Sequence, residues 1–218
     1  AERLSRTTGY KIGKLFPSNE TENLPQKIVI IGQPNTANEA LISLDAQEII
    51  SAEEAGKIFG YGSPIHSVMR ILRPTTSEGV GGIPTIVIPQ KVAEGATVST
   101  KTFTVTGTAL QNITQVVKIA GRESLNFQSY SFSISKDDTA TQIATKIANS
   151  VNKVLGSPLT ALATTDTVVF TSKFKGEVSK DIEIEFLYDA VETGITYAQT
   201  EKTDGSGLAD FSNLKDYF

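Results

Sequence analysis

Cysteine and tryptophan are absent from the 218 residues, and there is one histidine, His66, and one methionine, Met69. Without cysteine there are no disulfides, no thiolate metal sites and no cysteine nucleophile. The absence also fits a reducing, cytosolic origin. A single histidine excludes catalysis that needs two. No apolar run approaches the roughly 18–20 residues of a membrane-spanning helix. Positive charge is not in excess, since 20 Lys and Arg against 24 Asp and Glu give a net charge of −4. A nucleic-acid binder normally shows a strongly basic face, so that class is disfavoured. Ala1 fits a start exposed by removal of an initiator methionine, and nothing near it reads as a secretory signal.

What is present suffices for one large domain or two small ones, with 39% apolar residues to fill a core. Residues 1–27 lack periodicity and carry Gly9, Gly13, Pro17 and Pro25, which reads as an extended arm. The cluster Tyr10, Ile12, Leu15 and Phe16 is more than a flexible linker needs. Either the arm docks on another molecule or it packs on its own domain.

Lys27-Ile-Val-Ile-Ile-Gly32 is a continuous β-branched run, the pattern of a parallel strand buried on both faces. A short strand is expected between Ile42 and Ile50. Ser51-Ala-Glu-Glu54 reads as a capping box opening a helix over Ala52–Phe59, stopped by Gly60 and Gly62. Ser63 and Pro64 then cap a second helix, with Ile65, Val68, Met69 and Leu72 at helical spacing, ending before Pro74. Ile83 to Pro89 is a second buried-type strand. Strand, helices, strand is a β-α-β unit.

After Gln90 the pattern changes to threonine-rich, period-two segments. Phe103 and Val105, then Val116–Ile119, Phe127 to Ile134, Val168–Phe170 and Ile182, Ile184 and Phe186 read as strands with one wet face. One helix interrupts them, with Asp137 or Asp138 as cap and Ala140, Ile143, Ala144, Ile147, Ala148, Val151 and Leu155 as its stripe. Residues 101–204 therefore form a mostly antiparallel α+β domain carrying one packed helix. Asp204-Gly-Ser-Gly207 reads as a linker and Leu208–Phe218 as the start of a helical element. Residues 28–100 and 205–218 are left as a partial α/β layer, because two parallel strands make no core on their own. Another chain, or more of a longer polypeptide, is expected to complete it.

Chemistry-bearing patterns are weak. Phe59-Gly-Tyr-Gly-Ser63 precedes a helix, as phosphate loops do, but follows a helix and lacks the Lys-Ser/Thr ending. Ile31–Thr36 has one glycine and a proline where a dinucleotide loop needs close backbone approach. Ser63 and His66 are three apart, but a capping serine is already occupied, and a nucleophile needs a base and an orienting third group. Asp137 and Asp138 sit at a helix start, where capping explains them without a metal. Asp181, Glu183 and Glu185 alternate as on a solvated strand that discourages edge pairing. No catalytic, cofactor-binding or metal-ligating residues are assigned, and no cofactor is expected.

The ordered segments carry more than the chemistry does. Ile28-Val-Ile-Ile-Gly-Gln33, followed by Ser51-Ala-Glu-Glu-Ala-Gly-Lys-Ile-Phe-Gly-Tyr-Gly-Ser63, resembles the tail sheath proteins of contractile-tailed bacteriophages, nearest the Mu-like branch. Thr104-Val-Thr-Gly-Thr108, Val117-Lys-Ile-Ala-Gly-Arg122, Asp138-Thr-Ala-Thr-Gln-Ile-Ala144 and Phe174-Lys-Gly-Glu-Val-Ser-Lys-Asp-Ile182 are similar to segments of that family, in the same order. The match departs at two turns, where Ala120 stands for a usual glycine and Ser179-Lys180 for Gly-Asn. The resemblance implies a chain about twice this length, here an N-terminal fragment. It implies a protease-like α/β core without protease function and a domain inserted after the strand Ile83–Pro89. It also implies a virion structural protein, assembled in the host cytoplasm, that polymerises around a tail tube and contracts. The implied partners are further sheath subunits in rings, the tube protein, and baseplate and terminator proteins, with no nucleic acid and no membrane span. The fragment itself is expected to be monomeric or weakly associated. Residues 1–27 would be an arm that adds a strand to a neighbouring subunit.

Two other classes compete. The threonine-rich domain could be a carbohydrate- or cell-surface-binding module, which an aromatic-lined groove would support. The α/β layer could be a hydrolase, against which stand one histidine, no cysteine and no nucleophile elbow.

Overall fold

In the computed structural model, which describes residues 26–75, 79–120 and 128–217, two β-branched runs lie side by side. β1 (Ile28–Gly32) runs parallel to β3 (Thr85–Pro89), with Ile30 opposite Val87. The short β2 (Gln47–Glu48) is antiparallel on the other side of β3, giving the order β1-β3-β2. Parallel strands cannot be joined by a tight turn, so a crossover is required. It is supplied by α1 (Ala52–Phe59) and α2 (Pro64–Leu72).

Local chemistry sets those helix ends. The Ser51 hydroxyl accepts from the Glu54 N–H at 3.1 Å, while the Glu54 carboxylate accepts from Ile50 at 2.9 Å rather than from Ser51. The expected box is thus displaced by one residue. Gly60 ends α1 at φ 92°, a conformation costly for any residue with a Cβ. Ser63 caps α2, with Pro64 in its first turn. The inward faces of both helices bring Ala52, Ala55, Phe59, Ile65 and Met69 against Ile30, Ile49 and Val87, a first core. Arg73 ties the end of α2 to β3 by donating to Thr85 Oγ1 at 3.2 and 3.0 Å.

β1 is not buried on both faces, as its composition suggested. Ile30 points into the core, but Val29 and Ile31 on the opposite face are 45% and 42% exposed. Among the described residues β1 has a strand partner on one side alone. Val68, read as part of the buried stripe of α2, is also exposed.

β4 (Lys91–Val92) pairs antiparallel with β12 (Ala209–Asp210), so the chain leaves the α/β layer and returns to it through adjacent strands. Between them lie β5 (Val98–Gly107), β6 (Ile113–Ala120), β7 (Gln128–Ile134), α3 (Ala140–Asn152), β8 (Leu159–Thr164), β9 (Thr167–Lys175), β10 (Glu183–Leu187), α4 (Ala190–Thr193) and β11 (Ile195–Thr203). They form two antiparallel sheets, β10-β6-β7 and β11-β5-β9-β8. The stripe Ile143, Ala144, Ile147, Ala148 and Val151 of α3 is buried in a second core that includes residues of both sheets. Aromatic rings join the sheets: Phe186 of β10 stacks on Tyr197 of β11 with centroids 4.4 Å apart, and meets Phe103 of β5 with centroids 5.2 Å apart. With four α-helices among the described residues and mostly antiparallel strands, the class is α+β.

Other expectations need revision or fall outside the description. Thr139, not Asp137 or Asp138, caps α3, forming a reciprocal box with Gln142. Asp138 instead accepts from the Ser135 N–H at 2.6 Å and pairs with Lys146. Residues 204–207 are not a free linker: Gly205 is buried where a Cβ would lie 2.0 Å from Ser179 Oγ. The tail forms β12 and then a 3-10 turn, Ser212–Asp216, held by Asn213 donating to Leu44 O and Pro89 O at 3.2 and 3.3 Å. Of the proposed arm, residues 1–25 lie outside the described residues, as do the turn at Gly121–Arg122 and Phe127.

The burial of α3 makes a direct prediction. Ile147→Asp places an unpaired carboxylate at a fully buried position and should cost roughly 3 kcal/mol or more. Thr139→Ala should cost about 1 kcal/mol by removing the cap. Urea unfolding followed by circular dichroism checks both, and equal midpoints for Ile147→Asp and wild type would place that face in solvent.

Candidate functional site

Chemistry-bearing side chains gather where the turn between α1 and α2 meets the loop after α3 and the end of β9. Gly62 sits at φ 85° against the second layer, where a Cβ would lie 2.0 Å from Ser157 O. The Gly62 N–H donates to His66 Nδ1 at 3.1 Å, and the His66 N–H donates to Ser63 Oγ at 3.1 Å. The Tyr61 ring meets His66 edge-on at 5.3 Å. From β9, Lys173 Nζ donates to Leu155 O at 2.9 Å and to Tyr61 O at 3.3 Å. Tyr61 O also accepts from Asn35 Nδ2 at 2.8 Å, and the Thr36 N–H donates to Lys173 O at 2.8 Å. Lys175 pairs with Glu39 at 3.2 Å. The Gln128 carboxamide lies between Arg70 and Tyr130, and with its oxygen turned to Arg70 it accepts from that guanidinium while its nitrogen donates to Tyr130.

The electrostatics follow from burial. His66 is 5% exposed, and desolvation, with Arg70 and Lys173 nearby, holds its imidazole at about 4, below the ordinary 6.5. It is therefore neutral at pH 7, which suits an Nδ1 that accepts a hydrogen bond. Burial also lowers Lys173. Gln33 Oε1, Asn35 Oδ1 and Gln90 Oε1 are buried near the carboxyl ends of β1 and β3 without a hydrogen-bond partner among the described residues.

The side chains of the weak motifs are engaged in local structure. Ser63 Oγ accepts a backbone N–H as a cap, and His66 Nδ1 is turned to Gly62, so no serine–histidine proton relay forms. The same bond occupies the Gly62 N–H that a phosphate loop would offer. The Ile31–Thr36 loop is tied to the second layer rather than wrapped around a ligand space. Asp137 and Asp138 lie at the far end of α3. Glu183 and Glu185 are exposed on β10, an edge strand, while Asp181 lies in the 3-10 turn Glu177–Asp181 before it. An open hollow of about 520 Å³ lies over Asn38, Leu41, Ile42, Asp45 and Lys57, and Lys57 is already paired with Glu53. Among the described residues no cluster of three His, Cys, Asp or Glu could hold a metal.

Sequence reasoning missed the junction because its members are far apart in the chain. The available signal was the pair Lys173 and Lys175 at alternate positions of a strand whose other outward residues, Thr167, Val169 and Thr171, are uncharged.

The molecule is thus an α+β protein of two layers whose conspicuous chemistry joins the layers to each other. No family model matches the sequence. The chain is 24% identical over 189 residues to the Mu-like prophage FluMu tail sheath protein of Haemophilus influenzae, covering 85% of this chain and 37% of that protein. This likeness supports a tail sheath relationship.

Because His66 is the one histidine, its ring resonances give an unambiguous titration. The midpoint should fall near pH 4, and a midpoint near 6.5 would show the ring solvated. Between about pH 6.5 and 4 the unfolded chain binds a proton that the folded chain does not, so stability should fall as pH falls through that window and be unaffected by this group above it. His66→Gln should remove that part of the pH dependence.

Proposed function

We propose that the chain is part of the subunit of a contractile tail sheath, a non-enzymatic structural protein of a phage-type virion that polymerises around a tail tube. The observation that carries this reading is the sequence similarity, which takes in most of the chain. The open side of β1 supports it. A parallel strand with apolar residues on both faces is normally covered on both, yet Val29 and Ile31 face outward and one edge of β1 lacks a strand partner among the described residues. The chain spans 37% of the length of the curated relative. In the proposed full-length subunit, further strands complete this sheet, and the layer from β5 to β11 is an inserted domain carried on the β4–β12 neck.

The proposed work is mechanical. Identical subunits pass together from an extended to a contracted lattice, and the energy lies in subunit interfaces. Residues 1–27 act as the arm that links one subunit to the next. The carbohydrate-binding alternative loses support because every Phe and Tyr in the strands β5, β8, β9 and β11 points inward, leaving a threonine-rich outer face without an aromatic platform.

Sedimentation and electron microscopy test the reading together. The 218-residue chain should sediment as a monomer at micromolar concentration, whereas the full-length subunit should form tubular sheaths. Deleting residues 1–24 from the full-length subunit should abolish long sheaths and leave the thermal transition of the monomer in place. Long sheaths formed without the arm would refute arm exchange, and a full-length protein that never forms tubes would refute the sheath reading itself. Residues 93–208, whose core is separate from that of the α/β layer, should melt cooperatively when expressed alone.

A further inference from the structure

The covalent neck between the layers is slight. β4 and β12 contribute two residues each, supported by the Ala93 N–H donating to Leu208 O and the Thr97 N–H donating to Ser206 O, both at 2.9 Å. An isolated two-stranded ribbon is marginal in water, and layers joined by such a link are expected to move relative to each other unless a further interface holds them. Here a further interface exists at the junction around His66.

We propose that this junction is a latch that holds the two layers in one fixed orientation at neutral pH, with Lys173 as its pin, and that acid releases it by protonating His66. Lys173 is the group that bonds to both sides at once. Its Nζ takes Tyr61 O from the α/β layer and Leu155 O from the other, while its backbone oxygen accepts from Thr36. Gly62 and Gly156 let the backbones close up: a Cβ at Gly156 would lie 3.3 Å from the Arg70 guanidinium and 3.5 Å from His66 Cε1. The ring therefore sits between the two layers.

Protonation there acts in one direction. Among the described residues, the charged or titratable groups facing His66 are Arg70 on its own helix, Lys173 on β9 and the Tyr61 phenol in the preceding turn, with Tyr130 beyond Arg70 on β7. None is a carboxylate. An imidazolium would meet two cations in a dehydrated space and would turn Nδ1 from an acceptor into a donor facing the Gly62 N–H. Both changes push the turn off Ser157. The Glu39–Lys175 pair also joins the layers at the margin, so the role of His66 has to be separated from it by mutation. The latch does not depend on the sheath reading, since it follows from the contacts between layers.

Nitroxide labels on the otherwise cysteine-free full chain test it. Glu48→Cys on β2 and Val191→Cys on α4 are exposed positions in the two layers. Pulsed dipolar spectroscopy should give one narrow distance distribution at pH 7. As pH falls toward 4 the distribution should at least double in width while circular dichroism still reports folded layers. Lys173→Met should show the broad distribution already at pH 7. His66→Gln, which keeps a neutral acceptor, should stay narrow in acid. A broad distribution for the parent chain at pH 7 would overturn the latch, as would an unchanged width in Lys173→Met. Acid broadening that persists in His66→Gln would overturn the trigger. The acid series on the parent chain requires no variant, so the proposal remains testable if Lys173→Met does not fold.

Discussion

The parallel pairing of Ile28–Gly32 with Thr85–Pro89 is the constraint from which the rest of the arrangement follows. It forces a crossover, and the chain between the two strands supplies two short helices whose apolar faces cover one side of the sheet. It sends both strands in one direction, so Gln33 and Gln90 emerge together at the same end. From that end the loop at Asn35 and Thr36 runs to β9, and the neck departs at Lys91. Had the strands paired antiparallel, the start of the neck and the 33–38 loop would lie at opposite ends of the sheet, and the junction around His66 could not form.

The same pairing leaves an imbalance. One face of the sheet is filled by Phe59, Ile65 and Met69, while the other exposes Val29 and Ile31. Three edges of the threonine-rich layer are guarded. Glu183 and Glu185 guard β10, the β11 edge carries a register shift between Gln199 and Glu201, and β8 is closed by Asn152. The Asn152 carboxamide accepts from the Ala161 N–H and donates to Ala161 O, replacing a neighbouring strand. Guarded edges beside an unguarded one are what a subunit requires if one layer is finished and the other is to be completed.

Legibility in the sequence followed the range of the interactions. Helices set by local chemistry were readable: Ser51 with Glu54, and Ser63 with Pro64, fixed two starts, and the i, i+3, i+4 stripe of Ile143 to Val151 fixed a third helix. The cap of that helix was misassigned because Asp137, Asp138 and Thr139 are all competent caps, and the choice depends on Lys146 drawing Asp138 away. The linker at 204–207 was misread because glycine serves flexibility and close packing equally well, and the Ser179 hydroxyl lying against Gly205 is a tertiary fact. Ser179 accepts from the Ser99 N–H and donates to Gly176 O, so it supplies bonds rather than distorting the turn. The junction was invisible because Asn35, Gly62, Ser157 and Lys173 meet by topology alone.

The most direct test of the account is where this polypeptide sits in an assembled particle. Antibodies raised against the 218-residue chain, with gold labels, should decorate a tail along its whole length by electron microscopy. After contraction the label should follow a shorter and wider sleeve. Label confined to the tail tip, or absent from tails altogether, would contradict the sheath role.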